Sequence, residues 1–380
     1  MKAIINAELI LHDHYMPDAV LFIEDGKIAG FGPMSKTEIP EGTEIIDAEG
    51  NYVGPGFVEI HTHGSGRIEY KDDPAGAAAF ALSHGTTTTL AALYFCLDKK
   101  GYLDAIDNCI SAMESGKAKN LKGFYMEGPY LNPKFGCDKV NNPWQAPVAK
   151  ENYQEIIERA GKYAYVWCVA PERPNILQFV LDAKKVNPDV RFTVAHSEAA
   201  PEDIEALMPY GLCIGTHHTN ATGDRPRYSE TRGVCVDECV NRNREIYAEL
   251  ICDRMGIHVC PYMLRLVRSI KGDDRIILIS DVIVYDGPRP KGFEEATDIN
   301  FDYEGEIAGS NLTLDVACRN MMMHTGASLV DVFNYASYNP AKAVGFKGVG
   351  EIAVGNIADL VICDHKVNIK KVFLGGNEVK

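Results

Sequence analysis

Short apolar runs alternate with longer amphipathic stretches through the middle of the chain. Eight runs stand out: FVEIHTH, TTTTLAALY, KGFYMEG, AYVWCVAPE, RFTVAHS, LCIGTHH, GIHVCP and RIILISD. Between them lie DPAGAAAFALSHG, ENYQEIIERAGK, NILQFVLDAKKVNP, PEDIEALMPYG and REIYAELICDRM, which read as helices. Strand–helix alternation predicts a parallel sheet with helical crossovers. Eight such units predict an α/β fold closed into a (β/α)8 TIM-like barrel. A doubly wound open sheet is the runner-up, and no Gly-rich dinucleotide fingerprint supports it.

Both ends of the chain have a different texture. AIINAELIL, AVLFIEDGKIAGFG and TEIIDAEG are short apolar stretches broken by turn signals, and EDGK reads as a hairpin turn. GEIAVGNIADLVICD and VNIKKVFLGGNEVK repeat that texture at the other end. The expectation is one small, discontinuous β-sandwich domain, residues 1–53 plus 346–380, around a barrel of residues 54–345. Two separate terminal modules are the alternative.

Composition narrows the function. With 380 residues, 46% of them hydrophobic, the chain can bury a large core. A net charge of −15 argues against a nucleic-acid binder, which carries a basic face. It leaves room for a small anionic substrate, because a few Arg residues and backbone N–H groups can hold one phosphate. No apolar run reaches the ~18 residues of a membrane span. The first twenty residues break into charged and turn positions, unlike a secretory leader. Eleven scattered cysteines without a CxxC pair read as reduced thiols of a cytoplasmic protein.

Barrel sites form at the C-terminal ends of the strands. The expected strand ends carry His61 and His63, Glu127, His196, His217 with His218, His258, and Asp281. In a strand His61 and His63 share a face, while Thr62 points the other way. Any one of these could be a hydrogen-bonded core histidine or a helix-capping aspartate. Six of eight runs ending in a metal-ligand type make a shared cation site the better reading. Strand parity does not choose between His217 and His218. GTTTT reads as a buried strand start rather than as nucleophilic threonines.

These residues carry a resemblance. PGFVEIHTHG with a late strand-end Asp resembles the amidohydrolase superfamily. MEGPYLNP, AHSEA, THHTNA, GIHVCP, IAGSNLTLD, NPAKAVGF and GEIAVGNIADLVICD occur in the order found in its N-acetylglucosamine-6-phosphate deacetylase family. The resemblance implies that Glu127, His196 and His217 are the principal metal ligands, THxxNA selecting His217. It implies a second metal position at His61 and His63, and Asp281 as general base and acid. Asn220 and Ala221 match where the family holds the sugar phosphate; His258, Ile307, Ala308 and Gly309 match other substrate contacts. The implied cofactor is a divalent ion, Zn²⁺ by this donor set, one or two per chain. The implied reaction removes acetate from N-acetylglucosamine 6-phosphate, and the implied assembly is a homodimer.

Two segments depart from the family. The loop KFGCDKVNNP has Asp138 or Lys139 near the position of a substrate-contacting His. GDRPRYSETRG replaces the segment whose Arg reaches a neighbouring subunit's phosphate; Arg227 is the preferred counterpart, with Arg225 and Arg232 behind it. A preference shifted to another amino-sugar phosphate is therefore expected. The rivals are a deaminase or cyclic-amide hydrolase on the same barrel, or a non-catalytic relative that binds sugar phosphate.

Overall fold

The computed structural model describes residues 1–137 and 139–380. Eight strands form the central sheet: β1 (Phe57–Thr62), β2 (Thr86–Tyr94), β3 (Leu121–Glu127), β4 (Ala164–Val169), β5 (Arg191–Val194), β6 (Leu212–Gly215), β7 (Tyr247–Ile251) and β8 (Ile276–Ile279). Neighbours in sequence pair in parallel from β1 to β8. Two backbone bonds tie the first and last strands together at the C-terminal end. Asp281 N–H donates to His61 O at 3.0 Å, and His63 N–H donates to Val282 O at 2.9 Å. The sheet is thereby drawn closed into the expected barrel.

Side chains of the strands divide by parity into two cores. Leu90, Ala92, Tyr125, Val166, Cys168, Ile277 and Ile279 fill the interior. Leu93, Phe124, Trp167, Phe192, Leu250 and Leu278 pack outward against helices at Lys99–Glu114, Lys150–Ala160, Ile176–Val186 and Pro261–Lys271. The strand beginning in the GTTTT run is buried at all nine positions, as a strand covered on both faces requires.

The seventh strand is a correction. GIHVCP was expected there, and YAELI was read inside a helix. Instead Tyr247–Ile251 is the strand, while residues 252–260 form a loop leading to the helix at Pro261. Glu249 explains the misreading. An acidic residue inside a buried strand breaks the apolar signature and mimics the polar face of an amphipathic helix.

Strands from both termini make one mixed sheet. Its order is Asn377–Glu378, Ile369–Leu374, Leu360–Cys363, Tyr52–Pro55, Lys2–Ile10, Tyr15–Glu24 and Lys27–Pro33, with Glu44–Asp47 also pairing Lys2–Ile10. Ile4, Leu9, Leu21, Ile46, Leu360, Ile362 and Phe373 give it a core of its own. The EDGK hairpin forms as read. Glu24 pairs with Lys27, and Asp25 and Gly26 take φ of 50° and 77°, the left-handed pair that a two-residue hairpin demands.

The assignment of β7 has a direct consequence. Leu250 is fully buried on its outer face. Leu250→Ala should cost about 2–5 kcal/mol in urea unfolding, the usual penalty for emptying a packed core position.

Candidate metal and catalytic site

The polar strand ends converge on one point above the barrel interior. Glu127 is the last residue of β3. His61 and His63 lie at the end of β1, and His196, His217 and Asp281 each lie two residues beyond their strands. Those three take left-handed backbone angles, φ of 42°, 27° and 49° respectively. Such angles cost a non-glycine residue about 1–3 kcal/mol and persist where the surroundings enforce them. Here they turn each side chain inward at the moment the chain leaves the sheet.

Glu127 sits between two pairs of imidazoles. Its Oε1 is 2.8 Å from His196 Nε2 and 3.3 Å from His217 Nε2. Its Oε2 is 3.0 Å from His63 Nε2 and 3.6 Å from His61 Nε2. Asp281 Oδ1 closes the second group, 3.3 Å from His63 Nε2 and 3.6 Å from His61 Nε2. His61, His63, Glu127 and Asp281 form one potential ion-binding set, and Glu127, His196 and His217 another. His217, not His218, faces the centre; His218 Nε2 lies 3.1 Å from Asn241 Oδ1 instead.

The donor chemistry fits a divalent cation. Nitrogen and carboxylate oxygen ligands suit Zn²⁺ and related ions. The buried atoms His61 Nε2 and Glu127 Oε2 have no partner at hydrogen-bonding angles. His196 Nε2 and His217 Nε2 lie only 3.1 Å apart, both directed at the same carboxylate oxygen. Unpaired buried polar atoms are costly, so such a convergence calls for a shared positive charge.

Electrostatics agree in sign. Burial pushes the Glu127 carboxyl upward, but His61 and hydrogen bonds from His196 and His217 hold it well below the usual range. Asp281 is likewise burdened by burial, yet His61 and His63 pull it down to about 2. Burial lowers His63, while Asp281 and Glu127 outweigh it and raise the ring to about 9. Protons and a metal ion compete for the same nitrogens, so a bound cation would take over this counter-charge.

The cluster forms the floor of a cavity of about 350 Å³. Asn220, Ala221, His258, Ile307 and Gly309 line it, with Ala308 buried just behind them. Asn220 Nδ2 donates to His258 O at 2.7 Å, which joins the loops after β6 and β7. His258 N–H donates to Asp253 Oδ2 at 2.9 Å. Gly309 is obligatory: its φ is 55°, and a Cβ there would fall 2.4 Å from Asp281 O. Lys134 and Lys139 bring positive charge to the wall. Lys139 Nζ lies 3.3 Å from Glu306 across the mouth. Asp138 lies outside the described residues. Arg227 stands on the exposed 223–234 loop and does not line the cavity of its own chain. Lys134 and the buried Glu249 were missed from the sequence. The first looked like an ordinary loop lysine, and the second was hidden inside a misassigned helix.

A barrel of eight parallel strands with histidines, a glutamate and an aspartate at the C-terminal ends defines a class of metal-dependent hydrolase, and the sequence matches the Amidohydrolase family over residues 52–379. The chain belongs to that family. Among its relatives, N-acetylglucosamine-6-phosphate deacetylase of Lysinibacillus sphaericus is 26% identical, covering 94% of this chain and 92% of the relative. N-acetylgalactosamine-6-phosphate deacetylase of Escherichia coli is also 26% identical, covering 97% and 96%. The crystal structure of N-acetylglucosamine-6-phosphate deacetylase from Pasteurella multocida superposes with a TM-score of 0.85 at 23% identity, over 99% of each chain.

Glu127 faces both histidine pairs, so Glu127→Gln should weaken metal binding at either potential set. Elemental analysis after dialysis should find the purified variant nearly metal-free. Full metal content would remove Glu127 from the site. Gly309→Ala should displace Asp281, lowering activity and loosening metal at the His61/His63/Asp281 set while the Glu127/His196/His217 set keeps its ion; the two readouts together check the assignment.

Proposed function

We propose that the protein is a metal-dependent deacetylase of an amino-sugar phosphate, removing acetate from N-acetylglucosamine 6-phosphate or its galactosamine epimer. The observation that carries this reading is Asp281, held beside His61 and His63 on the floor of a cavity whose wall bears two lysines. Glu127, His196 and His217 would hold one cation, and His61 and His63 with Asp281 a second. Zn²⁺ is the ion this donor set favours. When bound, a divalent ion polarises an acyl carbonyl and lowers the pKa of water to about 7.

Asp281 then accepts the proton of the attacking water as its oxygen bonds to the acetamide carbon. As the C–N bond breaks, Asp281 returns that proton to the amine nitrogen. Acetate and the free amino sugar leave. His258 sits beside the reacting centre as a contact for the sugar. The Asn220–Ala221 turn is the proposed phosphate seat. Positive φ recurs at His217, Thr219 and Ala221 (27°, 76° and 51°); the His217, His218 and Asn220 N–H groups donate within the protein, so the Thr219 and Ala221 amides are the ones proposed to face the phosphate. Lys134 and Lys139 also line the cavity, paired with Glu198 and Glu306 respectively, and would turn to the phosphate when it binds. Arg227 is exposed on its own chain, which fits a role at a partner subunit's phosphate in a cytoplasmic homodimer.

The division into a terminal β domain (1–53 plus 346–380) and a catalytic barrel (54–345) belongs to the same proposal. So does a role in selectivity for the altered loop KFGCDKVNNP. That loop lacks the family's histidine, and a changed polar partner can shift selectivity by orders of magnitude. The 26% identity to both a glucosamine and a galactosamine enzyme makes the epimer a matter for assay.

Acetate release should be measured for the N-acetyl derivatives of glucosamine, galactosamine and mannosamine, with and without 6-phosphate. The 6-phosphates should give the higher kcat/KM, with the optimum away from N-acetylglucosamine 6-phosphate. An optimum at that compound would sink the shifted preference; equal rates without phosphate would sink the phosphate seat. Asp281→Asn should keep the Glu127/His196/His217 ion and lose ~10²–10⁴-fold in kcat. Near-normal acetate release by that variant would refute the proton-transfer role.

A further inference from the structure

Beneath the cluster lies a carboxylate that none of these roles uses. Glu249, in the middle of β7, is fully buried. Its Oε2 is 3.1 Å from His61 Nδ1 and accepts the His217 backbone N–H at 3.3 Å. Tyr125 O–H donates to Oε1 at 2.9 Å. The Tyr125 ring stacks on the His61 ring, centroids 4.3 Å apart and planes inclined by 19°. Tyr125 Oη also lies 2.8 Å from Thr216 Oγ1, which donates to Thr193 Oγ1 at 2.7 Å. The carboxylate is thus anchored from below and presents an acceptor upward.

His61 is treated differently from the other imidazoles of the site. His63 Nδ1 lies 3.2 Å from a neutral backbone carbonyl, that of Ala92. His196 Nδ1 and His217 Nδ1 have no hydrogen-bond partner among the described residues. Of the four imidazoles, His61 is the one with a described carboxylate at Nδ1. A neutral imidazole offers a lone pair at one nitrogen when its proton sits on the other. A carboxylate at Nδ1 keeps the proton there, so Nε2 becomes the bare nitrogen. That nitrogen points at Glu127 and Asp281, 3.6 Å from an oxygen of each.

We propose that Glu249 is a positioning residue for the cation held by His61 and His63. It fixes the tautomer and tilt of His61 through Nδ1. By also holding the His217 N–H, it links that half of the site to the backbone of the other half. The inference rests on the two-ion reading above.

The test is a competition titration with Zn²⁺ and a chelator on the full-length protein, comparing wild type, Glu249→Leu and Glu249→Gln. A His61→Asn/His63→Asn double variant identifies which binding step belongs to that pair. Leu removes every acceptor. It should weaken the His61/His63 ion by ~10–100-fold, the usual effect of losing a partner behind a metal-bound histidine. The Glu127/His196/His217 ion should weaken by less, through the lost acceptor for the His217 N–H. Gln should recover most of the loss, because its amide oxygen can replace Oε2 while its NH₂ donates to the Tyr125 oxygen. A single ion in the wild type would sink the two-ion reading itself. Two wild-type ions with no loss in Glu249→Leu, an equal loss at both ions, or no recovery with Gln would overturn the Glu249 proposal alone. If the Leu variant does not fold, ¹⁵N NMR of histidine-labelled, Zn²⁺-loaded wild type decides. A proton on His61 Nδ1 with bare Nε2 supports the proposal, and a proton on Nε2 overturns it.

Discussion

A single negative charge organises the top of this barrel. Glu127 is 1% exposed, and an unpaired carboxylate at such depth would cost several kcal/mol even after relaxation. The fold meets that cost with four imidazoles, two at each oxygen. They come from β1 and from the turns after β5 and β6, strands far apart in sequence. Only a closed parallel barrel brings those ends within one carboxylate's reach, and the backbone bonds between β1 and the segment after β8 complete the ring at this level.

The strain sits where the chemistry does. His196, His217 and Asp281 leave their strands through left-handed angles, and Gly309 supplies the space Asp281 needs. Beneath them, Tyr125 of β3, Thr193 of β5, Thr216 just after β6 and Glu249 of β7 form a polar layer rather than a purely apolar core. Each polar group in that layer is satisfied, which lets a low-dielectric interior strengthen the network rather than destabilise it. Rigid strand ends, not mobile loops, hold the cluster. The loops instead shape the cavity wall.

Much of this was legible in the sequence. Alternating runs and helices gave the barrel, because strands buried on both faces leave continuous apolar signatures such as TTTTLAALY. HTH, EGP and THHTNA marked residues that the structure brings together, because they fall at or just beyond the C-terminal ends of barrel strands. What escaped was the polar interior. Glu249 made a true strand look helical, and GIHVCP, three of whose six residues are apolar, took its place. Loop positions were legible only as likenesses. Nothing in local spacing reports that Lys134 reaches the cavity, or that Arg227 stays outside it.

The central claim is that Glu127 joins two cation sites. Anomalous diffraction at the zinc edge, on crystals of the Zn²⁺-loaded protein, tests it most directly. Two peaks should flank Glu127, one beside His61 and His63 and the other beside His196 and His217. Zinc density lying out of coordination distance of the Glu127 carboxylate would contradict the account.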